Sequence, residues 1–539
     1  MNSMTIAIAS SFTAEPMESA LDFWINELDI GAQIKFAPYN QLHQQLIDPT
    51  SIFALNANGM NVVLLRFEDW VTTTDAEISG IIETAATDFL RGLDTAVKKT
   101  SVPFLVIACP GSEAFLSKTK NIQSSEKLAV QFSREIEKMT GVYFVDPGEI
   151  FRLYPMRDYR DGHSDEHGKI PYTSTFFAVL ATMIVRKLRA ITNPSYKVLV
   201  LDCDQTLWTG VCGEVGPMGI EIDEHRKALQ DFAIAQRDAG ILLCLCSKNT
   251  KEDVFEVFDK RTEMSLKRDH LTAWRINWDE KSRNSEAIAQ ELKLGLDSFI
   301  FLDDDDVQVA EVRSRCPEVL TLQLPRDIRQ MEKFLNHVWE FDRIRITDED
   351  RQRALLYKRD KQRETARETS LSLEDFLAGL NLQIRILPMS EAQLSRVAQL
   401  TQRTNQFNFT TRRRTEAEIQ RLTASDGYEC LTVEVSDRFG DYGLVGVMIF
   451  QAADAFKVDT MLLSCRALGR RVEYAMLTKL TEIARARGFD SMQIPFSETK
   501  KNKPALDFLN SVGEPHKKKG TTGTELLFNF SVENVPLPC

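Results

Sequence analysis

Two aspartates separated by one residue follow an apolar segment and suggest phosphoryl-transfer chemistry. Val198 to Leu201 are uninterrupted apolar residues, and Asp202 and Asp204 come soon after them. Asp202 can act as the nucleophile that takes a phosphoryl group, and Asp204 can protonate the leaving oxygen and later accept a proton from water. Thr206 can hydrogen-bond Asp204 or the phosphate. Taken alone, the same pattern also fits a strand followed by an acidic turn.

Polar residues that follow a later apolar segment, ILLCLC, can hold phosphate oxygens. Ser247, Lys248 and Asn249 come after this segment, and a hydroxyl together with backbone amides at a strand end forms such a binding site. Lys281 precedes an amphipathic helix, and a positioned ammonium offsets negative charge on the phosphate and on the nucleophile. The short stretch before Ser247 leaves little room for a lid domain, so we expect an open site that suits a phosphate carried by a large partner.

A run of four aspartates follows the apolar segment FIFL and predicts a metal site. Asp303 and Asp304 begin the run. Together with Asp202 and Asp204 they complete an oxygen shell for Mg²⁺, a hard cation that prefers such ligands. A solvated acidic loop is the alternative, but the preceding strand and the order of the other motifs favour the metal site.

A parallel sheet has to position these groups. Residues 195–345 alternate buried strands with helical patterns, which is typical of a doubly wound α/β domain. In such a sheet, ligands bind at the carboxyl ends of the strands. Residues 1–192 show the same alternation in four apolar segments, and they predict a separate SGNH- or flavodoxin-like α/β domain. The segments are TIAIAS, NVVLLRF, PFLVIACP and VYFVD.

Ser11, at the end of the first predicted strand, allows a serine hydrolase of the SGNH type as a minor alternative for the N-terminal domain. The possible partners of Ser11 lie far downstream, at Asp161, His163, Asp165 and His167. The first block reads SSFT rather than the usual GDS. A scaffold or a docking domain is the favoured interpretation.

The composition predicts a cytoplasmic globular protein of several domains. The 539 residues exceed one ordinary domain. A net charge of −12 argues against nonspecific nucleic-acid binding. None of the nine cysteines forms a CxxC pair, which indicates a reducing compartment. We find neither a signal-peptide pattern nor a run of ~20 apolar residues that could span a membrane.

The C-terminal part of the sequence resembles the GNAT acyltransferase fold. Residues 346–375 are charged and helix-forming, and they predict a solvated helical linker. Residues 376–534 then show strands with Gly-rich turns, a long amphipathic helix, a strand and a helix. The loop from Arg466 to Gly469 is similar to one that holds a pyrophosphate or pantetheine arm at a helix N-terminus. Arg471 replaces the final small residue of that loop, which disfavours an acyl-CoA transferase.

The order Asp-x-Asp-x-Thr, Ser, Lys, Asp-Asp resembles the haloacid dehalogenase (HAD) phosphatases. Longer segments resemble one branch, the FkbH-like (HAD-IIIC) glyceryl transferase/phosphatases, over most of the chain. These segments are DCDQTLWTGVCGEVG, INWDEKSRN, LGLDSFIFLDD, TQRTNQFNFTTRR and LLSCRALGRRVE. Two departures are Gln205, where the family has Asn, and Asp305-Asp306, where it usually has Asn-Pro.

The resemblance implies a bifunctional enzyme of polyketide-type biosynthesis that uses 1,3-bisphosphoglycerate. Cys465 would attack the acyl phosphate, the HAD centre with Mg²⁺ would remove the remaining phosphate, and the glyceryl group would pass to the phosphopantetheine thiol of an acyl carrier protein. Arg466, Arg470 and Arg471, with the helix N-terminus, favour the Cys465 thiolate. A packed strand-end thiol is the alternative role of this cysteine.

Further polar residues are candidates for substrate and partner contacts. Asn405 and Gln406 can hydrogen-bond a polar acyl group. Basic clusters at Arg412–Arg414, Lys500–Lys503 and Lys517–Lys519 are either solvated charge or a docking surface for an acidic carrier protein.

Two other functions stay open: a phosphatase of a free phosphometabolite with a non-catalytic C-terminal domain, and a carrier-protein-binding scaffold.

Overall fold

The structure, a computed structural model, describes residues 4–71, 78–116, 119–193, 195–344, 346–513, 517–519 and 525–533. The chain divides into two compact units. The first consists of Met1–Asn193 and Arg414–Ser425, and the second of Pro194–Arg413 and Asp426–Cys539. The first unit is built on one sheet and the second on two.

A five-stranded parallel sheet with strand order β2-β1-β3-β4-β5 forms the centre of the first unit. Its central strands are almost fully buried because helices cover both faces, which suits uninterrupted apolar segments. The elements are β1 (Met4–Ser10), α1 (Glu18–Glu27), β2 (Ala32–Phe36), α2 (Leu42–Ile47), β3 (Gly59–Leu65), α3 (Ile78–Val97), β4 (Phe104–Ala108), α4 (Glu113–Leu116), α5 (Thr119–Glu137), β5 (Val142–Val145), α6 (Pro147–Leu153), α7 (Gly162–Gly168) and α8 (Ser174–Thr192).

The first sheet of the second unit is also parallel and five-stranded, with strand order β10-β9-β6-β7-β8. The strands β6 and β9 lie side by side and are buried at every residue. The elements are β6 (Val198–Leu201), α9 (Cys212–Val215), α10 (Glu224–Asp238), β7 (Leu242–Ser247), α11 (Lys251–Lys260), β8 (Leu271–Ile276), α12 (Lys281–Leu292), β9 (Phe299–Asp303), α13 (Asp306–Arg315), β10 (Leu320–Gln323) and α14 (Met331–Asn336). The insertion between β6 and α10 holds only the one-turn helix α9.

The segment predicted to be a solvated linker is helical but partly buried. It contains α15 (Asp348–Arg351), α16 (Arg353–Glu368) and the start of α17 (Leu373–Leu380). Arg363 of α16 is 1% exposed and donates to Asp437 at 2.7 Å through Nε. The structure therefore differs from the expected solvated helix. The helix α16 has little apolar face, but it buries the charged side chain of Arg363 in an ion pair.

The second sheet of the second unit has seven strands in the order β11-β12-β13-β14-β15-β17-β16. Neighbouring strands are antiparallel except β14 and β15, which are parallel and pair at only two residues near their starts. The elements are β11 (Gln383–Pro388), α18 (Leu394–Arg403), α19 (Glu416–Thr423), β12 (Tyr428–Asp437), β13 (Gly440–Ala452), β14 (Phe456–Leu463), α20 (Val472–Ala486), β15 (Ser491–Ser497), α21 (Lys503–Gly513), β16 (Lys517–Lys519) and β17 (Glu525–Ser531). Of these, α19 belongs to the first unit.

These three sheets confirm the predicted fold class, a multidomain α/β protein whose C-terminal sheet is mixed. Pro194, at the predicted first domain boundary, lies outside the described residues. Within the described part of the chain, no helix combines the length and the apolarity needed to cross a bilayer.

The Arg363–Asp437 ion pair gives a prediction for stability. Both side chains are at most 1% exposed, and Tyr442 also donates to Asp437. The change Asp437→Asn removes the buried carboxylate that accepts from Arg363 Nε and leaves Asp360, at 3.0 Å, as the remaining carboxylate partner of Arg363 among the described residues. We therefore expect a loss of about 3 kcal/mol in the free energy of unfolding. Urea unfolding followed by circular dichroism measures it.

A matched surface variant controls for the loss of a carboxylate. Glu482 and Lys479 form an exposed pair at 3.5 Å, so Glu482→Gln should change stability by less than about 0.5 kcal/mol. Equal effects of the two substitutions would contradict the importance of the buried pair.

Candidate active site and cysteine cleft

A buried lysine joins two aspartates at the carboxyl-end edge of the first sheet of the second unit. Lys281 begins α12, Asp202 directly follows β6, and Asp303 ends β9. The Lys281 ammonium donates to Asp202 Oδ1 at 2.7 Å and to Asp303 Oδ2 at 2.6 Å. All three residues are at most 5% exposed. Burial opposes the charge of Lys281, but the two carboxylates outweigh it and raise the pKa of Lys281.

Three carboxylates converge beside this lysine. Oxygen atoms of Asp202, Asp303 and Asp304 lie within 4.8 Å of one another. Burial and then the charge of Asp202 raise the pKa of Asp303 to about 7, and the same two causes raise the pKa of Asp304. One ammonium does not balance three carboxylates, so the donor set fits a hard divalent cation such as Mg²⁺.

The Asp204 carboxylate, also predicted as a metal ligand, is not among these converging groups. Its Oδ1 accepts hydrogen bonds from Trp208 Nε1 at 2.8 Å and from the Cys212 backbone N–H at 3.0 Å. Its Oδ2 accepts from Asn249 Nδ2 at 2.7 Å. The three donors hold the carboxylate in one orientation, which is what an acid and base beside a nucleophile requires. Sequence reasoning did not identify Trp208 and Cys212, because nothing in their spacing marks them.

The remaining residues predicted for this site lie around its edge. Thr206 is fully buried and donates to Asp304 Oδ1 at 3.1 Å, rather than to Asp204. Ser247, at the end of β7, is 2% exposed, and Asn249 is 4% exposed. Lys248, between them, is half-buried. The strand ends thus bring the residues of all four sequence motifs to one edge of the sheet.

The residues that differ from the FkbH-like pattern have local structural roles. Gln205 has a φ of +59°, a left-handed conformation that Asn adopts more readily than Gln. Its side-chain oxygen accepts from the Gly210 N–H at 3.3 Å. Asp305 is the N-cap of α13 and accepts from the Val307 N–H at 2.7 Å. Asp306 occupies the first helical position, where Pro is also favoured.

Cys465 lies in a second site, a cleft of about 230 Å³. It is partly exposed, whereas the other cysteines in the described residues are buried. Asn405, Gln406 and Arg466 line the cleft, as do several residues that sequence reasoning did not connect with Cys465. These further residues include Lys197, Arg353, Tyr357, Arg403 and Lys501.

Of the three arginines predicted to favour a Cys465 thiolate, only Arg466 lines the cleft. Arg470 lies 3.7 Å from Asp360 and stacks over Tyr442 at 5.0 Å. Arg471 is half-exposed and lies 4.0 Å from a glutamate, Glu374. Gly469, with a φ of +74°, forms the turn before α20 and has open space beside it.

The cleft and the acidic centre lie at opposite edges of one sheet. Lys197 precedes β6 and Ser298 precedes β9, so both mark the amino-end edge, whereas Asp202 follows β6 at the carboxyl-end edge. Five residues of extended strand correspond to about 16 Å. The two sites are therefore separated by the length of β6.

The first unit does not assemble a serine–histidine pair from the predicted residues. The Ser11 hydroxyl donates to Asp69 at 2.7 Å and accepts from the Arg66 N–H at 3.0 Å. The rings of His163 and His167 contact each other, with centres 4.5 Å apart and planes tilted by 40°. Among the described residues, the hydrogen bonds of Ser11 thus engage an arginine–carboxylate network, and the hydrolase interpretation gains no support.

Two further predicted residues of the first unit have structural roles. Asp161 caps α7 by accepting from the Ser164 N–H at 3.0 Å. Asp165 pairs with Arg66 at 2.8 Å.

Comparison with solved structures finds a partial likeness to a phosphatase-containing protein. The N-terminal part of protein BF1531 from Bacteroides fragilis, containing a phosphatase domain and complexed with Mg, matches with a TM-score of 0.56 and 21% identity over 64% of this chain and 94% of that one. At this identity the likeness establishes a shared fold. No protein-family model matches the chain, and neither does a curated protein sequence.

Acetyltransferases match a smaller part of the chain. The ribosomal-protein-S18-alanine N-acetyltransferase of Escherichia coli has a TM-score of 0.22 and 13% identity over 28% of this chain and 94% of that one. A putative GNAT-family acetyltransferase from Desulfovibrio desulfuricans has a TM-score of 0.22 and 15% identity over 28% of this chain and 99% of that one.

The three converging carboxylates of Asp202, Asp303 and Asp304 give a prediction for metal binding. We expect Asp303→Asn to weaken Mg²⁺ binding at least about tenfold, because one of three converging anionic ligands is lost. Isothermal titration calorimetry with MgCl₂ measures the change. Asp306→Asn is the matched control, since Asp306 is exposed and pairs with Arg326 instead. Equal weakening by both variants would indicate general charge loss rather than a site.

Proposed function

We propose that this chain is a Mg²⁺-dependent phosphatase of the HAD type coupled to an acyltransferase. It takes a glyceryl unit from 1,3-bisphosphoglycerate, removes the second phosphate and loads the unit onto the phosphopantetheine thiol of an acyl carrier protein in polyketide-type biosynthesis. The observation that carries the phosphatase half is the Lys281 ammonium between Asp202 and Asp303. The phosphatase domain and the Mg of the Bacteroides fragilis structure support it.

The phosphatase residues have separate tasks. The Asp202 carboxylate attacks phosphorus, and the bond from phosphorus to the ester oxygen breaks. Asp204, held by Trp208 and Asn249, protonates the leaving oxygen and then removes a proton from the water that hydrolyses the aspartyl phosphate. Lys281 stays charged and keeps Asp202 oriented. Bound Mg²⁺ would supply further neutralisation of the phosphate charge.

The acyltransfer half uses the Cys465 thiol. Its sulfur forms a bond to the acyl carbon of the acyl phosphate, the carbon–oxygen bond to phosphate breaks, and the thiol proton leaves on inorganic phosphate. The product is a phosphoglyceryl thioester. The cationic side chains that line the cleft around Cys465 support this step, because they stabilise the departing phosphate.

The separation of the two sites constrains the path of the acyl group. A phosphoglyceryl unit on Cys465 has only a few bonds between sulfur and phosphorus, about 1.5 Å each, and β6 alone separates the sites by about 16 Å. The second phosphate therefore reaches an Asp202 carboxylate without a carrier only if the C-terminal sheet moves or if a second copy of the chain acts on it. Otherwise the unit must first transfer to the longer phosphopantetheine arm.

Omitting the carrier distinguishes the carrier-independent routes from the carrier-dependent one. A glyceryl adduct on the protein without any carrier would require movement of the C-terminal sheet or dephosphorylation by a second copy. A phosphoglyceryl adduct that persists until a carrier is added would require the carrier arm. Intact-protein mass spectrometry separates the two adducts.

Basic residues support the proposed carrier partner. Arg413 donates to Asn405 at 3.0 Å, and Lys501 pairs with Asp297; Asn405 and Asp297 both line the Cys465 cleft. Lys500 and Lys503 are exposed. Acyl carrier proteins are acidic, so this charge favours their approach. The side chains of Lys517–Lys519 lie outside the described part of the structure.

Asp202→Asn tests the phosphatase half. We expect phosphate release from p-nitrophenyl phosphate to fall at least roughly thousandfold, because the nucleophile is lost. After incubation with 1,3-bisphosphoglycerate, the protein or carrier should hold phosphoglyceryl rather than glyceryl. Asp279→Asn, at an exposed position, is the control. Undiminished release by the Asp202 variant would refute the assignment.

Cys465→Ala tests the acyltransfer half. We expect no covalent acyl adduct on this variant by mass spectrometry, whereas hydrolysis of p-nitrophenyl phosphate should persist. Cys430→Ala, which removes a buried thiol, controls for loss of a cysteine.

Phosphate release from 1,3-bisphosphoglycerate with no adduct on any variant or carrier would instead support a phosphatase of free metabolites. Carrier binding without any turnover would support the scaffold function.

A further inference from the structure

The cleft around Cys465 is formed by segments from four parts of the second unit. Lys197 directly precedes β6, and Arg353 lies in the first turn of α16. Arg403 ends α18, and Arg466 lies in the loop after β14. The parallel strands β14 and β15 pair only near their starts. They thus separate toward the end of β14, where Cys465 is located.

Among the described residues, the cationic groups of this cleft outnumber the carboxylates that pair with them. Arg353 and Arg403 share a single carboxylate, Asp350, which is 1% exposed. The Lys197 ammonium donates to the uncharged backbone carbonyl of Arg403 at 2.8 Å. The lining carboxylate, Asp297, already pairs with Lys501. Positive charge is therefore left in excess.

Arg466 adds a donor that lacks a partner. Its Nη1 is buried and has no hydrogen-bond partner among the described residues. The nearby carboxylate of Asp360 is bonded to Arg363 at 3.0 Å and lies 3.7 Å from Arg470. A buried guanidinium nitrogen without an acceptor carries a cost that a bound anion would remove.

The lowered pKa values of the basic side chains that line the cleft agree with an excess of positive charge. Burial lowers the pKa of Lys197 to about 8. The charges of Arg353 and Arg403 act in the same direction, and Cys465 acts against them. Burial and then Arg403 lower the pKa of Arg353 to about 10. Burial also lowers the pKa of Arg466, with Arg353 contributing. Each positive charge thus makes protonation of the neighbouring basic groups less favourable.

The cleft volume limits the size of the anion. At about 230 Å³ the cleft is smaller than the roughly 300–1,000 Å³ of sites that enclose drug-sized ligands. Arginine forks match phosphate oxygens in geometry, and a lysine adds a point charge. A small phosphorylated acyl group fits both the volume and the charge, whereas coenzyme A would have to remain largely outside.

We propose that this cleft is a phosphate-binding site, separate from the phosphatase centre, in which Lys197, Arg353, Arg403 and Arg466 hold a phosphoryl group of a small acyl phosphate beside the Cys465 sulfur. The choice of an acyl phosphate rests on the proposed function, whereas the anion site rests on the charges and distances above. The site selects phosphorylated over unphosphorylated acids before any covalent step.

Protection of Cys465 from alkylation tests the site without requiring catalysis. The full-length protein is treated with iodoacetamide in EDTA, without a carrier, and peptide mass spectrometry follows modification of Cys465. We expect inorganic phosphate and 3-phosphoglycerate to slow alkylation, and glycerate to have no effect. Lys197→Met should raise the half-protecting phosphate concentration about tenfold, because one charged contact is lost.

Two further variants change exposed lysines, whose replacement should not disturb folding, and so they test the site even if Lys197→Met misfolds. Lys501→Met removes an exposed lining lysine and should weaken protection in the same direction. Lys500→Met removes its exposed neighbour, which does not line the cleft, and should leave protection unchanged. Calorimetric titration of inorganic phosphate into the same variants provides a second measurement of binding.

The outcomes separate this inference from the proposed function. Equal protection by glycerate and 3-phosphoglycerate, or equal behaviour of the Lys197 and Lys500 variants, would overturn the phosphate site. Phosphate protection in a protein that transfers no glyceryl unit would support the site and reject the proposed transferase. Normal transfer without any phosphate binding would reject the site and leave the transferase in place.

Discussion

The Lys281 ammonium between the Asp202 and Asp303 carboxylates is the contact on which the acidic centre depends. Two buried carboxylates this close repel each other, and burial makes their charge costly. The ammonium can lie between them only if β6, β9 and α12 end or begin at the same edge of the sheet. The buried apolar strands of the sheet position these ends, and the charged contact in turn links α12 to both strands.

The opposite edge of the same sheet has the reverse arrangement of charge. There, Asp350 is one carboxylate between Arg353 and Arg403, and Lys197 adds a further cation. The sheet therefore has an acidic edge suited to a metal cation and a basic edge suited to an anion, separated by the length of β6. This polarity agrees with the proposed function, in which phosphate is removed at one edge and the acyl phosphate reacts at the other.

Several features of the fold were not predictable from the periodicity of the sequence. The strand β2 alternates between half-buried and exposed residues at a sheet edge, so it lacks the apolar run that identified its neighbours. The sequence of α16 predicts a solvated helix because it lacks an apolar stripe, whereas in the structure the helix buries the charged side chain of Arg363. The segment Arg414–Ser425 belongs to the first unit although it lies far along the chain, and local pattern contains no information about such long-range placement.

By itself, the sequence determined the first sheet of the second unit and the residues at its acidic edge. Parallel strands place their carboxyl ends together, so motifs that each follow an apolar segment had to meet there. Only the tertiary structure decided that the carboxylate of Asp204 is held by Trp208, Cys212 and Asn249, and that Cys465 faces the basic edge. The physical reason is that Lys197, Arg353, Arg403 and Arg466 come from separate elements, brought together by packing of the second sheet and α16 against the first sheet. No spacing along the chain encodes that packing.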